Sequence, residues 1–330
     1  MKKELALWTF ITDQVEKEQP VALLMVGEST GSSPGRPGFK MAVSQDGDLC
    51  GSIGGGIMEI KLVEMAKSRL QQQDYTPVVK RQIHNKTAPH HQSGMICSGE
   101  QTVILYFLEK REVHHLTLLV SLLTKLQPAL VHISNSEKCH SFEVVPVANQ
   151  SSSFHFLHQK NHYFELSYST GYANRLYIVG GGHCALALSE IMSKLDFQIC
   201  LLDDRPGLST MIKNHFVQEK LVLTNFEKIV NSIPSGPDVY VVVMTLGYRT
   251  DEIVIRELLQ YDFKYLGLLG SKAKVKTLLE SLKKDGYSKD LLNRVHAPIG
   301  LNINSRTPEE IAISIAAQLI AVKNNSDYHI

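Results

Sequence analysis

Two glycine-dense runs in this 330-residue chain, Gly51-Ser52-Ile53-Gly54-Gly55-Gly56 and Gly180-Gly181-Gly182-His183, each precede a stretch with helical periodicity. Glycine lets a ligand approach the backbone, and the free N–H groups and positive dipole end of a following helix attract anions. Two sites for phosphorylated ligands are therefore expected, one in each half, unless the glycines serve only tight packing of strand on helix. Ser32, Ser33 and Arg36 stand in a long polar loop, residues 29–38. Arg36 is either a bidentate phosphate clamp or an exposed arginine with no ligand. Glu59 falls in the first turn of the helix after the first glycine run, where it either caps free N–H groups or accepts from a ligand donor.

Thiol and imidazole chemistry is concentrated in one segment. His84, His90, His91 and Cys97 follow each other without the spacing of a standard zinc site. Cys97, beside Ser98 and Gly99, is either a soft thiolate able to hold a thiophilic metal or accept sulfur, or a small buried hydrophobe. His183 replaces a small turn residue with an imidazole that can titrate, bind a metal or cap the turn.

These residues need elements to position them. In the second half, strand 176–179, the glycine turn, helix 185–195 and strand 197–202 lead to Asp203, which lies about 20 residues past the turn, where a dinucleotide fold places its ribose-binding acid. Gly180, Gly182 and Asp203 would hold the ligand there, beside His183. Strands at 220–223, 238–244 and 265–269, separated by helices at 226–233 and 251–260, complete an α/β, Rossmann-like parallel sheet. The first half reads as helix 3–17, strand 21–26, the polar loop, strand 40–43, a hairpin turn at Asp46-Gly47-Asp48, the Gly51–Gly56 run with its helix, and strand 102–108. Thr307-Pro308-Glu309-Glu310 is a helix start, and the Ile, Ala and Leu of helix 311–322 suit packing on the sheet or against a second copy in a homodimer. A serine-rich linker at 148–153, extended by a strand pair over 154–166, divides the chain into domains 1–150 and 151–330.

Composition limits the alternatives. Thirty-four basic against 33 acidic residues give no general attraction to nucleic acid or a membrane surface. No apolar run approaches the roughly 20 residues of a membrane helix, and the N-terminus has no signal-peptide core, so a cytoplasmic protein is expected. Five scattered cysteines make neither a disulfide framework nor a CxxC pair, and free thiols are expected.

A series of motifs in fixed order resembles the XdhC/CoxI accessory proteins. It comprises Gly31-Ser32-Ser33-Pro34, Gly38-Phe39-Lys40-Met41, the Gly51–Gly56 run with Glu59, Cys97-Ser98-Gly99, Val179-Gly180-Gly181-Gly182-His183, Asp203-Asp204-Arg205, residues 265–271 and residues 296–301. The resemblance covers nearly the whole chain. It departs from the family pattern where Ser98 replaces a glycine and where Gly35 separates Arg36 from the Ser-Pro pair. It implies an N-terminal α/β cofactor domain, a C-terminal Rossmann-like domain and no catalysis by the chain itself. The implied function is to bind molybdopterin, the molybdenum cofactor, and deliver it to the apoenzyme of a xanthine dehydrogenase-type molybdenum hydroxylase, with a cysteine desulfurase as a possible further partner. Under it, Gly54, Gly55 and Gly56 lie against the cofactor, Glu59 meets the pterin or orients the loop, and Cys97 sits near the metal. Two other functions fit the Rossmann half: an NAD(P)-dependent oxidoreductase, for which no acid–base pair follows in order, and a nucleotide-sensing regulator.

Overall fold

The computed structural model describes residues 2–84, 99–137, 139–148, 153–159 and 162–324. Two compact units divide at Gly171 and Tyr172.

In the first unit, α1 (Lys2–Glu16) buries Leu7, Trp8, Ile11 and Val15 on one stripe. β1 (Val21–Gly31), β2 (Lys40–Val43), β3 (Leu49–Gly51), β4 (Val78–His84) and β5 (Gly99–Leu108) form an antiparallel sheet in the order β3-β2-β1-β5-β4. Strand β1 is apolar throughout its first half because both faces are covered. Val21, Leu23 and Met25 face the core that contains α1, while Ala22, Leu24 and Val26 face the core of α2 (Gly56–Gln71). The period of two in side-chain direction sorts one run into two cores. After α3 (Val113–Thr124), a second antiparallel sheet joins β6 (Ala129–Asn135), β7 (His140–Pro146), β8 (Phe154–His158) and β9 (Phe164–Ser169) in the order β7-β6-β9-β8.

This second sheet corrects the expected boundary at 150/151. The strand pair after residue 153 does not lead into the Rossmann unit. Instead β9 pairs along its length with β6, Leu130 against Ser169 through Asn135 against Phe164, and buries Phe164, Leu166 and Tyr168 in the core that holds Trp8.

The second unit is a parallel sheet with helices on both faces. Its strands are β10 (Asn174–Val179), β11 (Phe197–Asp203), β12 (Glu219–Val222), β13 (Gly236–Val243), β14 (Phe263–Leu268) and β15 (Val295–His296), in the order β12-β11-β10-β13-β14-β15. The order reverses direction between β10 and β13, so the carboxyl ends of these two strands flank the crevice where such folds bind ligands. One face carries α4 (His183–Met192), the short α5 (Ser209–Lys213) and α9 (Pro308–Asn324), and the other α6 (Tyr248–Leu258), α7 (Lys272–Lys284) and the single turn α8 (Lys289–Leu292). The capping box of α9 is formed: Glu310 N–H donates to Thr307 Oγ1 at 3.2 Å and Thr307 N–H to Glu310 Oε2 at 3.1 Å. The helix expected over 226–233 is only a 3-10 turn, Ile229–Ser232. Pro234 disfavours helical geometry at Ile233, and burial of Phe226, Ile229 and Ile233 holds the segment without a longer helix.

Candidate functional site

In the first unit, three motif segments meet by backbone contact. Gly54 has φ +124°, and a Cβ there would stand 2.5 Å from the Gly35 nitrogen and 2.6 Å from the Pro34 carbonyl carbon. Only glycine fits that approach and that conformation. Gly99 pairs with Gly31 across β5 and β1, and a Cβ on it would lie 2.7 Å from the Ser33 nitrogen. The polar loop, the glycine run and the start of β5 are thus one assembly.

Its interior is wired by two glutamines that sequence reading missed. Gln101 is 2% exposed. Its Oε1 accepts from Ser33 Oγ at 2.8 Å and from Gly35 N–H at 3.1 Å, and its Nε2 donates to Gln82 Oε1 at 2.8 Å. Gln82 Nε2 continues to the Met58 carbonyl at 3.2 Å, on the first turn of α2. Gln82 and Gln101 stand directly opposite in the β4–β5 register. Each glutamine stands in a polar run, Lys80-Arg81-Gln82 and Glu100-Gln101-Thr102, so no local alternation marks it as inward-facing, and their pairing depends on strand register. Ser33 is accordingly buried and holds the loop, whereas Ser32 is exposed. Arg36 is exposed too, and its Nη1 reaches only the Gly31 carbonyl of its own loop, at 3.4 Å.

Glu59 caps the glycine run. Its Oε2 accepts from Ser52 Oγ at 2.7 Å, Ile53 N–H at 2.8 Å and Gly55 N–H at 3.0 Å, while Gly54 N–H donates to Ser52 Oγ at 3.1 Å. Gly55 and Gly56 keep positive φ, and a Cβ on Gly55 would meet nothing within 4 Å. Cys97, with His90 and His91, lies outside the described residues, as does the side chain of His84. Among the described residues no group of three or more His, Cys, Asp or Glu could hold a metal ion. The described cysteines, Cys50, Cys139, Cys184 and Cys200, are free thiols, and burial pushes the Cys200 thiol up to about 12.

In the second unit the glycine turn stands at the carboxyl end of β10. Gly180 has φ +106° and abuts the Met244 backbone after β13, while Gly182 is open and caps α4. His183 is the exposed first residue of that helix. Asp203, expected to offer its carboxylate to a ribose, is 1% exposed and already saturated. Gly181 N–H donates to Oδ2 at 2.6 Å, Arg205 N–H to Oδ1 at 2.9 Å, and the Arg205 guanidinium to both oxygens at 2.8 and 2.7 Å. A carboxylate has about four lone-pair sites, and four donors occupy them. The residues therefore do not fit a nicotinamide dinucleotide held through its adenosine ribose diol.

Sequence reading also missed a network at the carboxyl ends of β13 and β14. Asp251 is fully buried and accepts from Thr245 N–H at 3.1 Å and from the Thr245 hydroxyl, and it pairs with the ammonium of Lys274 on α7. It ties α6 and α7 to the crevice edge. A cavity of about 320 Å³ bounded by Tyr261, Phe263, Lys264 and Arg294 lies at the amino end of β14, whereas the glycine turn stands at the carboxyl end of β10, so the turn does not open into it.

Comparison with known proteins follows the same division. The model of the XdhC and CoxI family matches residues 14–80, and that of the XdhC Rossmann domain residues 176–319. The chain is 26% identical over 316 residues to the uncharacterized protein YqeB of Escherichia coli strain K12, covering 94% of this chain and 45% of that protein. It is 29% identical over 150 residues to a probable xanthine dehydrogenase subunit of Bacillus subtilis strain 168, covering 45% and 43%. The chain thus spans less than half the length of these relatives. The crystal structure of a xanthine dehydrogenase from Bacillus halodurans has the same fold, with a TM-score of 0.71 over 97% of this chain and 96% of that one, at 24% identity. Both units are accounted for in order, and the chain belongs to the XdhC and CoxI family.

Proposed function

We propose that this protein is an accessory factor for a xanthine dehydrogenase-type molybdenum hydroxylase, and that it holds molybdopterin and delivers it to the apoenzyme without catalysing a reaction of its own. The observation that carries this reading is the convergence of the polar loop, the glycine run and the start of β5, within and beside the segment that the XdhC and CoxI model matches. Such an assembly brings an exposed guanidinium, hydroxyls and a carboxylate onto adjoining loops, the groups a flat, hydrogen-bonding, phosphorylated ligand requires. A relative named for xanthine dehydrogenase supports the choice of partner. Cys97 is the proposed soft contact to the metal. A cysteine desulfurase as sulfur donor and a homodimer belong to the same proposal, the latter using the exposed Ile313 and Ile320 of α9.

The saturated Asp203 weighs against hydride transfer through the Rossmann crevice. The test is to purify the protein from cells that make molybdopterin, then measure bound pterin by fluorescence after oxidation and bound molybdenum by elemental analysis. Both are expected, and Cys97→Ser is expected to lower retained molybdenum. Absence of both from the wild type, or robust oxidation of hydroxy acids with a nicotinamide cofactor, overturns the reading.

A further inference from the structure

A glycine run before a helix ordinarily takes phosphate, because its N–H groups and the helix dipole face an anion. Here the chain supplies that anion. Glu59 Oε2 takes Ser52 Oγ–H, Ile53 N–H and Gly55 N–H, and Ser52 Oγ takes Gly54 N–H. Three consecutive backbone donors are engaged internally. A phosphate brought to the same place would meet a like charge and no free donor from residues 53–55. Glu59 Oε1, by contrast, accepts no hydrogen bond among the described residues, and open space lies over Gly55. On the adjoining loop, one residue from the Gly35–Gly54 contact, Arg36 is exposed and only loosely held.

We infer that this site reads its ligand with polarity opposite to that of a phosphate-binding glycine run: Glu59 Oε1 accepts from the N–H donors on the 2-amino-4-oxo edge of a pterin, and a ligand phosphate goes to Arg36 rather than to the engaged N–H groups of Ile53, Gly54 and Gly55. The inference rests on the cofactor-binding reading and assigns an orientation within it. Glu59 is a specificity residue because its other oxygen, fixed by three donors, cannot turn away without leaving them unsatisfied.

Titration of the full chain with two free heterocycles tests it. Pterin has an amino donor at position 2; lumazine, the 2,4-dioxo analogue, has a carbonyl acceptor there. Wild type is expected to bind pterin at least about tenfold more tightly, since a site built to pair with a donor rejects the analogue lacking it. In Glu59→Gln the donors of residues 52, 53 and 55 demand an acceptor, so the amide oxygen turns inward and the NH2 group outward. The preference should then be lost or reversed, with the melting curve showing that the fold is intact. Equal affinities in wild type, binding of neither heterocycle, or an unchanged preference in Glu59→Gln overturns the inference. Should Glu59→Gln not fold, the comparison of the two ligands on wild type decides it. Retention of molybdopterin in cells is measured separately, so failure of this orientation is distinguishable from failure of the cofactor-binding reading.

Discussion

Asp203 and Arg205, two positions apart, form a closed pair, and its energetics follow from burial. Desolvation by itself raises the aspartate pKa, but the hydrogen bonds from the Arg205 guanidinium and from the Gly181 and Arg205 N–H groups outweigh it and hold the carboxyl below the usual range. A folded pKa below the unfolded one stabilises the fold at pH above about 3.9, the ordinary aspartate value, and the contribution is lost as pH falls through the folded pKa. Arg205→Ala removes two of the four donors and leaves a buried charge poorly compensated. It is expected to cost about 2–4 kcal/mol at pH 7, read from the urea midpoint. The gap between wild type and variant should narrow as pH drops below about 3.9, because protonation removes the charge that Arg205 neutralises. A gap that stays constant from pH 7 to pH 3 would show that Arg205 acts through packing alone.

Among the elements, the glycine turns divide into positions fixed by contact and positions left open. Gly54→Ala must find room against the Pro34–Gly35 backbone at φ +124° and is expected to cost about 1–3 kcal/mol. Gly182 has φ −71° and nothing near its missing Cβ, so Gly182→Ala meets no clash and loses only the N-cap preference for glycine over alanine, less than about 1 kcal/mol. Thermal melts of the two variants separate these cases. Gln101→Leu strips partners from Ser33 Oγ, Gly35 N–H and Gln82 at once and should cost about 2–4 kcal/mol, at roughly 1–3 kcal/mol per unsatisfied buried group. The alternation of strand and helix, the glycine turns and the α9 capping box were all legible in the sequence, because each is a local signal. Which loop lies on which was not. The Gln82–Gln101 pair depends on β4–β5 register, and the saturation of Asp203 depends on the rotamer of its neighbour Arg205. The strand pair expected over 154–166 is β8 and β9, whereas β6 and β7, which join it into one sheet, were not expected, although Val131-His132-Ile133-Ser134 alternates apolar and polar residues at period two.

For the molecule as a whole, the pairing of β9 with β6 decides where the chain can be divided. A cut at 150, within the serine-rich stretch, removes β8 and β9 from a four-stranded sheet and leaves β6 as an edge. It also deletes Phe164, Leu166 and Tyr168 from the core shared with Trp8, Tyr106 and Leu119. At about 1.5–3 kcal/mol for each large apolar side chain fully buried, those three side chains alone represent several kcal/mol, comparable to the whole stability of a domain. The new edge would also present unpaired N–H and C=O groups to other chains. A fragment of residues 1–171 is therefore expected to melt cooperatively and elute as a discrete species, whereas 1–150 should lack a cooperative transition and aggregate. Circular-dichroism melts and size-exclusion chromatography of both fragments test this. If 1–150 melted as cooperatively as 1–171, β8 and β9 would be appended strands rather than part of the core, and the boundary would belong at the serine-rich stretch after all.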